Sequence, residues 1–255
     1  MRDNLIALQS ILNKEITRYF RIWIQTLLPP AITMSLYFVI FGNLIGSRVG
    51  EMAGVSYMAY ITPGIIMMSV ITNSYSNVVS SFFSAKFQRH IEELLVAPVP
   101  NIYILLGYIG GGVSRGLLTG IIVTFISMFF VDIQIHNLAV VFIVILMTST
   151  LFALGGLVNA VYAKKFDDIS IVPTFILTPL TYLGGVFYTI TLLPEFWQGV
   201  SKINPILYMV NAFRYGFLGY SDISLTVAFA IIGLFIIAMF SFALYLLNTG
   251  KGLKS

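Results

Sequence analysis

The sequence predicts an all-α polytopic membrane protein with six transmembrane helices, built as a single domain over residues 1–255. Of the 255 residues, 58% are hydrophobic and only 9% are charged, whereas a soluble domain carries about 25% charged residues. Uncharged runs recur along nearly the whole chain, and about 20 helical residues cross the hydrocarbon layer of a bilayer. The predicted spans cover residues 22–46, 57–83, 103–131, 138–162, 169–188 and 225–247.

The segment before the first span, residues 1–21, predicts an amphipathic helix that lies along the membrane interface. At 100° per residue, its apolar face contains Leu5, Leu8, Leu12, Ile16 and Tyr19. The opposite face contains Lys14, Arg18 and Arg21. The pattern leaves open whether this interfacial helix is a passive anchor or a moving part. In the first span, two adjacent prolines at positions 29 and 30 remove backbone donors and predict a kink.

The distribution of basic residues predicts the orientation of the chain. An even number of spans puts both termini on one side, and ten of the fourteen Lys and Arg residues lie on that side. They are Arg2, Lys14, Arg18, Arg21, Lys86, Arg89, Lys164, Lys165, Lys251 and Lys254. Because short cytoplasmic segments carry the excess of Lys and Arg, both termini are expected in the cytoplasm.

Polar residues inside the spans form a candidate translocation path. Ser69, Asn73 and Asn77 follow one another at four-residue spacing on the second span. Their face either lines a path for a substrate or hydrogen-bonds neighbouring helices. Arg115 is the one ionisable residue placed well inside a span. Either it has a functional role at that depth, or its side chain extends to the cytoplasmic headgroups. On the same span, a stripe of small residues predicts close helix packing: Gly112, Gly116 and Gly120.

Several kinds of chemistry are not expected of this chain. The two histidines, His90 and His136, fall on opposite sides of the predicted membrane, and the acidic residues fall in connections and tails, so no catalytic or metal site is predicted. No phosphate-binding G-x-x-x-x-G-K-[ST] loop is present. The basic residues are too dispersed for a nucleic-acid partner. If the chain moves a substrate actively, the energy must therefore arrive from another protein.

The connection between spans two and three, residues 84–100, predicts a short amphipathic helix on the cytoplasmic side. Its apolar stripe contains Phe87, Ile91 and Leu94, with Leu95 at the edge. Its polar side contains Arg89, Glu92 and Glu93. Pro98 and Pro100 should end the helix, since proline disfavours helix at the preceding residue.

The stretch "RHIEELLVAPVP" resembles the coupling helix of ABC-2 type transporter permeases. The matching positions are Arg89, Glu92, Leu94, Leu95 and Pro98. A second similarity covers residues 184–219, which resemble the family's extracytoplasmic hairpin before the last span. There the matching positions are Gly185, Phe187, Tyr188, Pro194, Asn204, Pro205 and Arg214. This re-entrant hairpin, residues 189–222, serves as a structural cap or as an outer gate formed by Phe187, Tyr188, Asn204, Pro205 and Arg214.

The resemblance implies a permease subunit of an ABC exporter in the bacterial cytoplasmic membrane. It implies a homodimer of this chain in contact with membrane lipid and coupled to a separate ABC ATPase subunit, which would bind ATP and Mg²⁺ while this chain binds no cofactor. Drug-like molecules, lipids and glycans are the implied substrates for efflux. The alternative is an ATP-independent secondary carrier or channel.

The connection "KKFDD" is a candidate second contact with the ATPase. It exposes both signs of charge through Lys164, Lys165, Asp167 and Asp168. In a simpler interpretation, Asp167 or Asp168 caps the fifth membrane helix.

Overall fold

The computed structural model describes residues 2–253, with every side chain in that range except that of Asn43. Lys254, which was counted above among the cytoplasmic basic residues, lies outside the described residues. Apart from one small antiparallel hairpin, β1 (Glu51–Met52) and β2 (Val55–Ser56), the regular structure described is helical. The α-helices are α1 (Arg2–Arg21), α2 (Trp23–Thr26), α3 (Leu28–Tyr37), α4 (Gly46–Val49), α5 (Tyr57–Phe87), α6 (His90–Val96), α7 (Asn101–Ser127), α8 (Leu138–Tyr162), α9 (Asp168–Val172), α10 (Thr178–Leu183), α11 (Glu195–Ile203), α12 (Pro205–Leu218) and α13 (Leu225–Thr249). Two π-helical stretches, Phe38–Ile45 and Pro173–Leu177, and a 3₁₀ turn, Ile190–Leu192, complete the helical structure.

Within residues 2–253, four helical stretches are long and apolar enough to cross a membrane. They are Trp23–Val49, Asn101–Ser127, Leu138–Tyr162 and Leu225–Thr249. These correspond to the first, third, fourth and sixth predicted spans. The prediction of an all-α polytopic membrane protein is therefore confirmed, while the number of six spans stays a prediction.

The two remaining predicted spans differ from these four in composition or length. Helix α5 has 31 residues and so extends over about 46 Å, but its polar side chains lower its hydropathy. The continuous helical stretch Asp168–Leu183 is about 24 Å long, which is less than the hydrocarbon thickness of about 30 Å.

Helix α5 forms the centre of the bundle, where it packs against α7, α8 and α12. Small residues allow these helices to approach closely. A Cβ atom on Gly112 of α7 would lie 2.6 Å from Val78 of α5, and one on Gly156 of α8 would lie 2.5 Å from the carbonyl oxygen of Tyr75. The predicted role of the α7 glycine stripe in close packing is therefore confirmed.

Helix α1 runs alongside α7. Ile11 lies against Gly107, and four residues further along each helix Glu15 lies against Gly111. The side chains of α1 that are buried are Ile11, Glu15 and Tyr19. The predicted faces are therefore partly wrong, because Leu5 is exposed and the carboxylate of Glu15 points into the bundle. The placement of α1 along the membrane interface stays a prediction.

The first apolar segment is interrupted where its prolines predict a kink. Helix α2 ends at Thr26, Leu27 follows, and α3 begins at Leu28 with the two prolines in its first turn. In that turn the backbone N–H groups lack partners in any helix, so prolines there remove no hydrogen bond. The interruption thus precedes the prolines.

The connection between α5 and α7 is not one continuous amphipathic helix. Helix α5 continues to Phe87, and Arg89 then adopts a left-handed backbone conformation with φ of 63° before α6 begins at His90. Phe87 and Ile91 therefore lie on different helices, and the predicted stripe through both is wrong. The predicted stop is confirmed, since α6 ends at Val96 and α7 begins directly after Pro100.

The segment before α13 forms two short helices, α11 and α12, which meet at Asn204 and Pro205. The Asn204 side-chain oxygen accepts a hydrogen bond from the backbone N–H of Ile206 at 3.0 Å and so caps α12. Pro205 occupies the first position of α12, where its missing N–H has no helical partner. The two predicted short helices are present, whereas their re-entrant placement in a membrane stays a prediction.

Candidate functional site

One end of the bundle, here called the α6 end, consists of α6, the connection 163–167 and residues 250–253. A cleft of about 460 Å³ opens there, between Phe87 and Glu92 on one side and Lys164 and Leu253 on the other. The two helix ends that frame it are tied together by Lys86. Its ammonium group donates hydrogen bonds to the carbonyl oxygens of Val161, at 2.5 Å, and Ala163, at 2.9 Å. A cation at this position satisfies carbonyl groups that the end of α8 leaves without helical partners.

Three aromatic side chains meet beside this cleft. The ring of Phe166 packs edge-on against the rings of Phe83 and Phe87, with centroid distances of 5.0 Å in both pairs. Phe83 is buried, but Phe87 is 59% exposed and Phe166 is 52% exposed. Adjacent exposed aromatic rings are typical of the buried centres of protein interfaces. The α6 end therefore presents an apolar surface that residues 2–253 do not cover.

The side chains of α6 divide into an inner and an outer set. Ile91 is fully buried, and Leu94 and Leu95 are partly buried against the core. The exposed residues of α6 and its flanks include Arg89, His90, Glu92, Glu93, Val96 and Pro98. Val96 is 84% exposed. The inner set therefore packs under the bundle, and a partner would meet the outer set together with Phe87. In the part of the chain that is described, Arg89 and Glu93 form no ion pair.

The connection 163–167 is shaped by Asp168. Its carboxylate accepts hydrogen bonds from the backbone N–H groups of Lys164, at 2.8 Å, and Lys165, at 3.0 Å. These two bonds hold the pKa of the Asp168 carboxyl below its ordinary value. The prediction that Asp167 or Asp168 caps the following helix is wrong, because Asp168 bonds the preceding turn and Asp167 makes no capping bond. Lys164 and Lys165 are exposed beside the cleft; a second partner contact there stays a prediction.

The polar face of α5 is engaged by neighbouring helices. The Arg115 guanidinium of α7 donates to the side-chain oxygen of Asn73 at 2.9 Å and to the carbonyl oxygen of Thr26 at 3.1 Å. The Asn73 amide donates in turn to the carbonyl oxygen of Ser69 at 2.9 Å. Arg115 is only 8% exposed, so the interpretation in which it reaches the headgroups is wrong. These bonds favour the packing interpretation of Ser69, Asn73, Asn77 and Arg115, and their role in a translocation path stays a prediction.

Glu15 lies inside this polar cluster, although the sequence predicts that it belongs to an N-terminal tail. It is 0% exposed, and its two carboxylate oxygens accept hydrogen bonds from the Ser81 hydroxyl and from Arg18 at 3.3 Å. Arg18 also donates to both the backbone and side-chain oxygens of Asn77, at 2.9 Å each. This ion pair therefore joins α1 to the middle of the bundle.

The sequence contains one signal that could have revealed Glu15. Glu15 follows Ile11 by four positions and precedes Tyr19 by four, so the three residues share one face of a helix. That face is the one buried against α7. The expectation that the acidic residues fall in connections and tails is therefore wrong for Glu15, which is buried where α1 packs against α7.

The predicted gate residues lie around the far end of α5. Arg214 of α12 is fully buried, donates to the carbonyl oxygen of Gly185 at 2.6 Å and lies 4.0 Å from the centre of the Tyr60 ring. The Asn204 amide donates to the carbonyl oxygen of Leu180 at 2.6 Å. The structure thus brings Asn204 and Arg214 against the segment that ends in Gly185.

The two aromatic gate residues, Phe187 and Tyr188, have different partners. Phe187 stacks on Phe41 with a centroid distance of 4.5 Å, and the Tyr188 hydroxyl donates to the carbonyl oxygen of Tyr182 at 2.8 Å. The contact of Phe187 with Phe41 fastens the segment before the hairpin to the first apolar stretch, whereas the Tyr188 bond lies within that segment. A gating role for the five residues stays a prediction.

Among residues 2–253, no group of three or more His, Asp or Glu side chains is placed to hold a metal ion. The expectation that this chain binds no cofactor stays a prediction.

Comparison with known proteins identifies the family. The family model for the ABC-2 type transporter matches residues 6–218. The chain is 62% identical over 250 residues to the inner membrane transport permease YadH of Escherichia coli K12, and the match covers 98% of each chain. It is 24% identical over 214 residues to nodulation protein J of Neorhizobium galegae, with 84% of this chain and 82% of the relative covered. A multi-pass membrane protein by its helices, the chain belongs to the ABC-2 type transporter family.

Proposed function

We propose that this chain is the membrane-spanning permease subunit of an ABC exporter, coupling ATP hydrolysis by a separate ATPase subunit to efflux of a drug-like, lipid or glycan substrate. The family supports an ABC transporter with an ATPase partner. The name of its relative, an inner membrane transport permease, supports a bacterial inner membrane location. Ten of the fourteen Lys and Arg residues fall on the side of the two termini, which supports an orientation with both termini in the cytoplasm.

The observation that carries the proposal is the uncovered surface at the α6 end. Phe87, Val96 and Phe166 are apolar, exposed and adjacent to charged side chains of both signs. A partner that covers them would bury aromatic and aliphatic anchors with a charged rim, which is the usual composition of a protein interface. The ATPase, carrying ATP and Mg²⁺, would push or pull on α6 and on Phe166 together.

The rest of the working complex follows from the family. Two copies of the chain would form a homodimer with the substrate passing between them. The largely uncovered stretches Trp23–Val49 and Leu225–Thr249 support contact with lipid and with the second copy. A change in the ATPase can shift the permease between two packings only if the ATPase contacts them differently, and α6 would provide that difference.

The test is to replace Val96 by aspartate and measure binding of the ATPase to the permease. Val96 is 84% exposed, so the change should leave folding intact. Leu94 is partly buried, so an aspartate there would disturb folding as well as binding, and a binding assay would not separate the two effects. Burying an unpaired carboxylate in an interface costs several kcal/mol, so we expect binding about 100-fold weaker or worse. ATP hydrolysis by the reconstituted complex should lose its stimulation by the permease.

Ile203→Asp is the matched control. Ile203 is 79% exposed and lies on α11, near the end of α5 that is remote from α6. It should bind the ATPase as the unaltered chain does. Undiminished binding by Val96→Asp would remove α6 as the coupling site. Transport by vesicles that hold this chain alone would contradict the need for an ATPase and favour a carrier or channel.

A further inference from the structure

A second cavity lies where α1, the end of α5 and the start of α6 meet. It has a volume of about 230 Å³. It is lined on the α1 side by Lys14 and Arg18 and on the other side by hydroxyl, amide and imidazole groups. These are Ser80, Ser81, Ser84, Gln88 and His90. Since one water occupies about 30 Å³ of liquid, the cavity has room for a small anionic group and some of its hydration.

The charge around this cavity is positive. Among residues 2–253 its lining contains no carboxylate, and the Glu15 carboxylate, which accepts hydrogen bonds from the lining residues Arg18 and Ser81, is itself buried. A neighbouring cavity of about 300 Å³ shares Lys14 and Arg18 and adds Arg21. Glu15 pairs with Arg18, and within residues 2–253 neither Lys14 nor Arg21 forms an ion pair.

Three side chains of this cavity are free to bind a ligand, whereas the Ser80 and Ser81 hydroxyls already donate to a backbone carbonyl and to Glu15. Lys14, Gln88 and His90 are exposed, and none of the hydrogen bonds found within residues 2–253 uses their side chains. Arg18 directs one of its terminal nitrogens to Glu15 and Asn77, and its other terminal nitrogen has no such partner in the same part of the chain. Ammonium, guanidinium and imidazole groups that converge in one cavity suit the oxygens of a phosphate group.

Apolar side chains continue from the cationic group. Ile22 lines the neighbouring cavity beside Arg21. Phe20 is 49% exposed and Trp23 is 53% exposed. Cationic side chains beside uncovered apolar side chains suit an anionic phospholipid, since Lys and Arg attract its headgroup and apolar residues contact its acyl chains.

We propose that Lys14, Arg18 and His90 form a binding site for a phosphate-ester anion, supplied by the headgroup of an anionic phospholipid. Bound there, the phosphate would connect α1 to the first residue of α6. The site does not depend on the proposed export function, because it is tested by binding alone.

The test measures lipid retained by the purified full chain in native mass spectrometry, with phosphatidylglycerol compared with phosphatidylcholine. The unaltered chain should retain phosphatidylglycerol preferentially. Lys14→Gln should weaken retention about fivefold, as expected for one cation near a membrane surface, and His90→Gln should weaken it further in the double variant. Because both residues are exposed, the variants should elute normally from a sizing column. Lys202→Gln and His136→Gln are the matched controls away from the α6 end and should retain lipid normally.

Inorganic phosphate added at millimolar concentration identifies the source of the anion. Lipid that resists displacement supports the phospholipid headgroup. Displacement from the unaltered chain but not from Lys14→Gln would support the same site with a soluble phosphate as its ligand. Equal retention of the two lipids, or equal loss in Lys14→Gln and Lys202→Gln, would overturn the proposal.

Discussion

Removing the buried carboxylate of Glu15 should destabilise the whole bundle. Glu15 is fully buried and accepts hydrogen bonds from Ser81 and Arg18, so Glu15→Ala removes an acceptor from both donors and leaves the Arg18 charge without its partner. Breaking a buried ion pair costs about 3–5 kcal/mol. The Arg18 side chain is 28% exposed and regains some hydration, which reduces the expected loss of stability to about 2–3 kcal/mol.

The assay is thermal unfolding of the purified chain in detergent. For a chain of this size, 1 kcal/mol shifts the melting temperature by about 2–4 °C, so Glu15→Ala should melt about 4–12 °C lower. Glu15→Gln keeps the shape and one acceptor oxygen and should lose less. Arg18→Gln combined with Glu15→Gln should lose less than the sum of the two single changes, because the residues interact directly. Glu195→Ala, at an exposed position, is the control. A melting temperature for Glu15→Ala within about 1 °C of that control would refute the pairing of Glu15 with Arg18 and the expected loss of stability.

Two further predictions follow from close packing and from charge. Gly116→Ala should lower stability by about 1–3 kcal/mol, because its Cβ would collide with the Ser74 hydroxyl. Gly233→Ala, where nothing lies within 4 Å of the added atom, should melt like the unaltered chain, and equal melting of the two variants would contradict the close approach of α5 and α7. The Asp168 carboxyl has a lowered pKa because two backbone N–H groups bond its charged form, so its contribution to the turn should be complete above the unfolded-state pKa of about 3.9 and be lost as pH falls through the lowered value. Carbon-13 NMR of the labelled carboxyl should show titration below the ordinary aspartate range, and titration within that range would contradict the two hydrogen bonds.

Much of the helical arrangement could be predicted from the sequence because it depends on local properties. Long apolar runs predict the four stretches that can span a membrane, and proline predicts the ends of helices before Pro98 and at Asn204–Pro205. The spacing of Gly112, Gly116 and Gly120 by four residues predicts a packing face, which the structure shows against α5 and α8. Each of these features is contained within one helix or one turn.

The polar contacts of the bundle could not be predicted in the same way. A helical wheel for α1 ranks its faces by hydropathy alone, and it puts Arg18 on the side away from the bundle. The buried face is instead rotated toward Ile11 and Glu15, because the glycines of α7 let the backbone of α1 approach there and bring the Glu15 carboxylate to Ser81, 66 residues away in the chain. Likewise, the left-handed conformation of Arg89 separates Phe87 from the helix that carries Ile91 and Leu94, the other two residues of the predicted apolar stripe.

The sequence by itself determined that this chain is a multi-pass helical membrane protein, that helices end before Pro98 and at Asn204–Pro205, and which short motifs resemble those of the ABC-2 family, because hydropathy and proline act locally along the chain. Only the tertiary structure decided which side chains meet. It buried Ile91 and left Val96 and Phe166 uncovered at the α6 end, and it placed Glu15 and Arg115 among the helices. The physical reason is that burial and hydrogen bonding depend on how closely two helices approach, and that distance is set by residues far apart in sequence.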